Sequence, residues 1–292
     1  MSQPTAVLFD ALGPRALRRV RLFTVLAAVL AVAVVAVAVA RLAQRGQFDA
    51  ELWAPLFDPT TDEFPLVWER LGRGLLWTLA IAGTAMAASV VVGVLIAVAR
   101  LSLGRVGRLP LVAVVELLRG LPVVVTILYV SIALPEVGLD LSDNWYLAVG
   151  LTLYNCVIIS EIVRAGVVAV PRGQVEAGRA VGLTDRQVMN GIQLPQAFRS
   201  MLPSVISQLV VILKDTALGA IVLVGVSELA RQGRQLRNAL DNPLQMFLVI
   251  AVIYIVVNLV LGKSAERLER RLSRSRGSAA EEVVDEEEGV RA

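Results

Sequence analysis

Long apolar runs restrict the fold of this chain more than any other feature. The first, residues 22–40, carries Thr24 as its only polar side chain and ends at Arg41. An α-helix rises 1.5 Å per residue, so about 20 apolar residues cross the roughly 30 Å hydrocarbon core of a bilayer. The sequence therefore excludes a soluble enzyme and a nucleic-acid-binding module, and it predicts an integral membrane protein.

Six such runs predict an all-α membrane protein with six transmembrane helices. Lys and Arg residues indicate the orientation because they accumulate in cytoplasmic loops. With the N-terminus inside, the cytoplasmic segments hold 19 of these residues and the outer loops hold 7. We therefore expect both termini and the loop at residues 164–199 to be cytoplasmic. The predicted spans are residues 22–40, 74–99, 110–134, 144–163, 203–226 and 242–262.

The second span contains a row of small side chains. Ala85, Ser89, Gly93 and Ala97 recur every four residues and so lie on one face of the helix. Small residues let helix backbones approach closely in a membrane. We expect this row to pack against another helix.

Composition excludes several kinds of chemical site. The chain has no histidine and one cysteine, Cys156. An imidazole base, a His-ligated metal and an internal disulfide are therefore excluded. No nucleophile-and-base motif stands out either. We expect a protein that is not an enzyme and that holds no cofactor of its own.

The loop at residues 164–199 carries signals for two short helices. Gly182 follows the first of them at the position where a left-handed cap is favoured. Thr184 and Gln187 have the spacing of a capping box, which starts the second helix. Pro195 is expected to end that helix. A bare connection would not need these caps, so the loop is interpreted as a docking element.

The spacing in this loop resembles the EAA loop of ATP-binding-cassette importer permeases, although Gly178 stands where that family usually has alanine. Other segments resemble the polar amino-acid branch of the family, which transports histidine, glutamine or glutamate. The matching segments are Glu176-Ala177-Gly178, Gly182, Ile192, Leu194-Pro195, Arg119-Gly120-Leu121-Pro122, residues 161–166, residues 173–177 and Leu213-Lys214-Asp215-Thr216.

The resemblance implies a type I importer permease fold, with a five-helix core and one extra N-terminal helix. It divides the chain into three parts. Residues 1–65 hold a cytoplasmic segment, the extra helix and an outer loop. Residues 66–265 form the transmembrane domain with its coupling loop at 164–200. Residues 266–292 form a charged cytoplasmic tail that is expected to be disordered, with an acidic run at 281–288.

The resemblance also implies function and partners. It predicts a permease subunit in a bacterial cytoplasmic membrane that imports a polar amino acid, with glutamate favoured because the extra helix resembles that of glutamate permease subunits. A second permease, expected to be different, would complete the pathway, an extracytoplasmic binding protein would deliver substrate, and a cytoplasmic ATPase dimer would bind ATP and magnesium. The residues implied in ATPase coupling are Glu176, Ala177, Gly182, Ile192, Leu194 and Pro195.

Charged residues inside predicted spans are candidates for the substrate pathway, because a charge at membrane depth is costly. They are Lys214, Asp215, Arg119 and Glu116. Glu116 and Arg119 are three residues apart and could pair, as could Glu161 and Arg164. Lys214 could bind a substrate carboxylate, or it could pair with Glu116 or Glu228. An ion-coupled secondary transporter built on these charges is the alternative function.

Orientation can be tested with two matched single cysteines in a Cys156→Ala background. Gln235→Cys lies in a predicted outer loop and Gln187→Cys in the predicted cytoplasmic loop. An impermeant thiol reagent added to intact cells should label Gln235→Cys and leave Gln187→Cys unlabelled until the membrane is opened. Labelling of Gln187→Cys from outside would contradict the orientation.

Overall fold

The computed structural model describes residues 13–264 and 266–267, and this part of the chain is helical with no strand. Most of the predicted charged tail, residues 268–292, lies outside the described residues. A π-helical turn at Met189–Gln193 and a 3-10 turn at Thr216–Leu218 each join two consecutive α-helices. The helices are α1 (Pro14–Gln44), α2 (Ala50–Phe57), α3 (Glu63–Ser102), α4 (Arg105–Gly120), α5 (Val123–Glu136), α6 (Asp143–Val168), α7 (Arg172–Ala180), α8 (Asp185–Val188), α9 (Leu194–Asp215), α10 (Gly219–Val222), α11 (Leu229–Leu240) and α12 (Pro243–Ser264).

Five helical segments in the described residues are long and apolar enough to cross a membrane, and α4 with α5 forms a sixth if the pair counts as one span. The chain bends by 110° between the two helices of this pair. The prediction of one continuous helix at residues 110–134 is therefore wrong. Pro122 has no N–H to continue the α4 ladder, and a residue before proline is disfavoured in helical conformation. Leu121 accordingly adopts ψ 140°.

The fifth predicted span begins earlier than expected, because Pro195 does not end the preceding helix. Helical backbone continues from Asp185 to Val222. In the π turn the N–H of Leu194 donates to the carbonyl of Met189, five residues back. Pro195 therefore occupies the first turn of α9, where a missing N–H costs little. The π turn therefore joins α8, the second short helix of the loop, directly to the membrane-spanning helix α9.

Among the described residues, the most extensive contact between two helices is that of α3 with α6, and it confirms the predicted row of small residues. Ala85, Ser89 and Ala97 are fully buried. A Cβ placed on Gly93 would lie 2.8 Å from the carbonyl oxygen of Cys156 and from Ile159 Cγ2. No side chain larger than hydrogen fits there without moving the α6 backbone.

A partly buried ion-pair cluster closes this contact at the end of α3. The carboxylate of Glu161 accepts hydrogen bonds from the Arg100 guanidinium on α3 and from Arg164 Nε at 3.0 Å. The Arg100 side chain is only 9% exposed and that of Glu161 is 21% exposed. The predicted pair of Glu161 with Arg164 is confirmed, whereas Arg100 was expected only to mark a cytoplasmic loop.

The extra N-terminal helix, α1, lies outside this core. None of its residues is buried in the described part of the chain. Its C-terminal end is held through the connection to α2, because Gln245 Nε2 donates to the carbonyl of Gln47 at 2.6 Å and Asn242 Nδ2 donates to that of Leu52. The apolar surface of α1 is therefore free to face lipid or another subunit.

Loss of the Glu161 carboxylate should destabilise the fold more than loss of an exposed one. Glu161→Gln leaves Arg100 partly buried without its counter-charge, so we expect about 1–3 kcal/mol less stability. Glu69→Gln is the matched control, since it breaks an exposed pair with Arg73 on α3 and should cost less than about 0.5 kcal/mol. Thermal unfolding of both variants in detergent checks this. Equal melting temperatures would show that the Arg100–Glu161 contact does not hold α3 to α6.

Candidate functional site: coupling hairpin and substrate pathway

The two short helices of the long loop form a closed hairpin through Gly182. This residue has φ +86°, a left-handed conformation that glycine adopts without a Cβ penalty. The N–H of Leu183 donates to the carbonyl of Gly178 at 3.1 Å, and the N–H of Gly182 donates to that of Arg179 at 3.0 Å. This pattern is the one that commonly ends helices at glycine.

The second helix of the hairpin starts with the predicted capping box, which is confirmed. The N–H of Thr184 donates to Gln187 Oε1 at 2.9 Å, and the N–H of Gln187 donates to Thr184 Oγ1 at 3.4 Å. Two N–H groups at the helix start are thereby satisfied within the hairpin. Both ends of the turn are fixed by local bonds.

Packing between the two arms explains the glycine at position 178. A Cβ on Gly178 would lie 2.6 Å from Ile192 Cδ1 and 3.2 Å from Val188 Cγ2. The absent side chain therefore lets the second arm seat closely on α7. The departure from the usual alanine at this position therefore coincides with close packing of the two arms.

The hairpin has an outer and an inner set of the residues implied in coupling. Glu176 and Ala177 are exposed on α7, and Val181 is 78% exposed beside the glycine elbow. Ile192 and Leu194 are half-buried, and Leu194 packs against the cores formed by α3, α6 and α9. Pro195 is exposed at the start of α9. The outer residues are available for contact, while the inner ones support them.

Two adjoining grooves flank the hairpin, and both are lined by Arg179 and Gln193. The larger, of about 630 Å³, lies between the end of α3 and the second arm, where Arg186 and Asn190 also line it. The smaller, of about 400 Å³, lies between the end of α6 and α7. Arg179 pairs across the elbow with Asp185 at 2.8 Å.

The α-helix that carries Lys214, α9, ends one residue later at Asp215. The Lys214 side chain is exposed, and it forms no ion pair with any other described residue. Asp215 is half-buried. The next residue, Thr216, is fully buried and donates to the carbonyl of Leu213 at 2.7 Å.

Glu228 is fully buried and is not the partner of Lys214. Its carboxylate caps α11 by accepting from the N–H groups of Ala230 at 2.7 Å and Arg231 at 2.6 Å. It also accepts from the Tyr254 hydroxyl at 3.0 Å, which joins α11 to α12. Burial raises the pKa of the Glu228 carboxyl above its ordinary value. The hypothesis that Lys214 is neutralised by Glu228 is therefore wrong.

The other predicted pairings of pathway charges are also wrong. Glu116 and Arg119 are both exposed on α4 and form no ion pair in the described residues. Within the same part of the chain no hydrogen bond or ion pair joins Glu116 or Arg119 to Lys214 or Asp215. These charges are open to solvent, lipid or other molecules in the isolated subunit.

Comparison with known proteins identifies the family. Residues 89–274 match the family of inner membrane components of binding-protein-dependent transport systems. The chain belongs to this family. It is therefore a permease component and not a catalytic enzyme, and the predicted family and fold are confirmed. Membership also removes the reason for considering an ion-coupled secondary transporter.

Several known permeases resemble this one along most of their length. The glutamate transport system permease protein GluD of Corynebacterium glutamicum is 35% identical over 239 residues, covering 80% of this chain and 85% of the relative. The glutamine permease GlnP of Escherichia coli K12 is 33% identical over 202 residues, covering 68% and 91%. A crystal structure of an amino acid ABC transporter with histidines superposes with a TM-score of 0.65 at 28% identity, covering 73% of this chain and 99% of that one.

Two contacts in the permease were not found from the sequence, that of Arg100 with Glu161 and that of Glu228 with Tyr254. Arg100 ends a span next to a basic loop, so only its contact with Glu161 distinguishes it from an orientation signal. Glu228 precedes the polar helix α11, and the N-cap position of an acidic residue was a usable signal. The Tyr254 bond to Glu228 links distant parts of the sequence and had no local signal.

Proposed function

We propose that this permease carries glutamate through an ATP-driven importer in a bacterial cytoplasmic membrane, with both termini and the hairpin in the cytoplasm. It would work with a second permease subunit, a cytoplasmic ATPase dimer and an extracytoplasmic amino-acid-binding protein. The similarity to a glutamate permease and a glutamine permease supports an amino-acid substrate. Relatives from Bacillus subtilis that are named for arginine and L-cystine transport are also similar, so the choice of glutamate depends on the charges in this chain.

The hairpin is proposed to receive the ATPase. Glu176 offers an exposed carboxylate for an arginine of the partner, and Ala177 and Val181 offer an apolar edge beside it. Gly182, Ile192, Leu194 and Pro195 would act by fixing this edge relative to α9. ATP and magnesium would bind to the partner, and this chain would supply only the rigid contact. A hairpin whose two arms are capped and closely packed transmits displacement better than a floppy loop.

Lys214 is the observation that carries the choice of substrate. A cation within a membrane span normally has a carboxylate or carbonyl partner. Lys214 forms no ion pair in the described residues, although it is exposed beside the broken end of α9. A substrate carboxylate would supply the missing counter-charge. The adjacent Asp215 is proposed to accept the substrate amino group, because the two side chains point in different directions.

A second exposed cation favours an acidic side chain over a neutral one. Arg119 lies on α4 close to the bend at Leu121-Pro122, with Glu116 one turn earlier on the same helix. Glutamate has two carboxylates, which two cations can bind, whereas glutamine has one. We propose that Lys214 and Arg119 contact the substrate at successive points of the pathway, which Glu116 also lines.

Removal of the Lys214 charge should abolish most glutamate uptake without unfolding the permease. Lys214→Met keeps the length and apolar volume of the side chain. A charge-assisted contact contributes about 1.5–3 kcal/mol, so uptake efficiency should fall about 10- to 150-fold. Lys263→Met is the matched control, since it changes the only other lysine, which is exposed near the end of α12, and should transport normally.

The measurement is uptake of labelled glutamate, glutamine and arginine by proteoliposomes that contain the whole importer. Lys214→Met should show the same melting temperature and ATPase activity as the unaltered protein while losing glutamate uptake. Unchanged glutamate kinetics in this variant would contradict the substrate role of Lys214. An unaltered importer that carries glutamine or arginine but not glutamate would contradict the assignment of glutamate.

A further inference from the structure

The surface around the hairpin is strongly basic. Only two carboxylates, Glu176 and Asp185, are exposed among the residues of this surface, and Asp185 is already paired with Arg179. The larger groove, lined by Arg179 and Arg186, lies between the end of α3 and the second arm of the hairpin. The exposed arginines are Arg105, Arg108, Arg172, Arg179, Arg186 and Arg199.

The same chain contains a segment of opposite charge. Residues 281–288 hold six carboxylates in eight positions, and only Arg291 follows them as a basic residue. No role in transport has been assigned to this segment. Its charge is complementary to that of the surface around the hairpin.

The path of the chain places this segment on the same side of the membrane as the hairpin. α9 and α10 lead away from the hairpin to the region where Asp143 Oδ2 accepts from the N–H of Gly225, at the far end of α6. α11 lies at that far end, and α12 returns towards the hairpin side, ending at Ser264. This relation holds whichever side of the membrane is cytoplasmic.

The length of the chain allows contact. Glu281 lies fourteen positions after Arg267, the last described residue. An extended chain of this length reaches about 46–50 Å. A compact domain of about 200 residues has a radius of gyration of about 16 Å, so the acidic segment can reach any point on this face.

We propose that residues 281–288 dock on the basic surface beside the larger groove and compete with the ATPase for the hairpin. The competition rests on the proposed function of the hairpin, whereas the docking does not. Each exposed ion pair is weak, but a short tether gives an effective concentration in the millimolar range. The contact is therefore reversible and salt-sensitive, as a competitor of assembly must be.

The arginines of the tail itself are poorer partners for this segment. Residues 267–276 hold Arg267, Arg270, Arg271, Arg274 and Arg276 and directly follow the end of α12. A basic stretch at the membrane exit is attracted to anionic lipid headgroups. The same headgroups repel residues 281–288, which leaves the basic hairpin surface as their nearest attractive partner.

Docking can be measured by cross-linking in the full-length permease without the ATPase, in a Cys156→Ala background. Asn190→Cys places one thiol in the groove and Gly289→Cys places the other beside the acidic run. A short bis-maleimide should join them at low salt, and the yield should fall at least about fivefold near 1 M salt, where the Debye length is about 3 Å. Gln235→Cys, at the opposite end of the molecule, replaces Asn190→Cys in the control and should give no product.

The control for charge replaces all six carboxylates, by Glu→Gln at 281, 282, 286, 287 and 288 and Asp285→Asn. This variant should lose the cross-link to Asn190→Cys. A cross-link of equal yield in the neutral variant, or none in the unaltered tail, would overturn the docking. Absence of a cross-link with the unaltered tail is also the result expected if the acidic run pairs with the arginines of residues 267–276.

Competition is measured by ATPase binding to the full-length permease and to a chain that ends at Arg276. Truncation should tighten binding about 3- to 10-fold at low salt, and the neutral variant should match the truncated chain. Equal affinity of all three chains would overturn the competition. An ATPase that binds none of the three would instead contradict the proposed function of the hairpin, while the cross-linking result would still test the docking.

Discussion

Close packing of α3 on α6 is the interaction on which the other parts of the permease depend. Gly93 permits the contact because a Cβ at this position would collide with the α6 backbone and with Ile159. Arg100 and Glu161 then tie the ends of the two helices together where the chain approaches the hairpin. Since lipid is as apolar as the helix faces, small side chains and polar bonds are what distinguish this helix pair from any other.

A continuous helical path leads from the hairpin into the membrane span that carries Lys214. α6 leads directly into α7, and the second arm of the hairpin continues through the π turn into α9. Ile192 packs closely on Gly178, so the two arms of the hairpin are in direct contact. We therefore expect displacement of the hairpin to be transmitted to α9, whose far end presents Lys214 and Asp215. This arrangement connects a proposed ATPase-binding surface to a proposed substrate contact through continuous helical backbone.

Local chemistry made part of this arrangement predictable from the sequence. The capping box at Thr184, the glycine elbow at Gly182 and the small-residue row on α3 each depend on residues within a single stretch of a few helical turns. The bend of the third span and the continuation through Pro195 depend on how a proline is accommodated by its neighbours, which a hydropathy pattern does not encode. The contacts of Arg100 with Glu161 and of Glu228 with Tyr254 join residues 61 and 26 positions apart, so only the folded chain reveals them.

Photo-cross-linking from the hairpin to the purified ATPase tests most directly whether this structure is a coupling element. A photoreactive residue at Val181, which is 78% exposed at the elbow, should cross-link to the ATPase. The same residue at Val188, which is 1% exposed between the arms, should cross-link only within the permease. Strong cross-linking at Val181 that Gly182→Val abolishes would support docking through a rigid elbow. Absence of an ATPase product at Val181 in an assembled, transporting complex would contradict it.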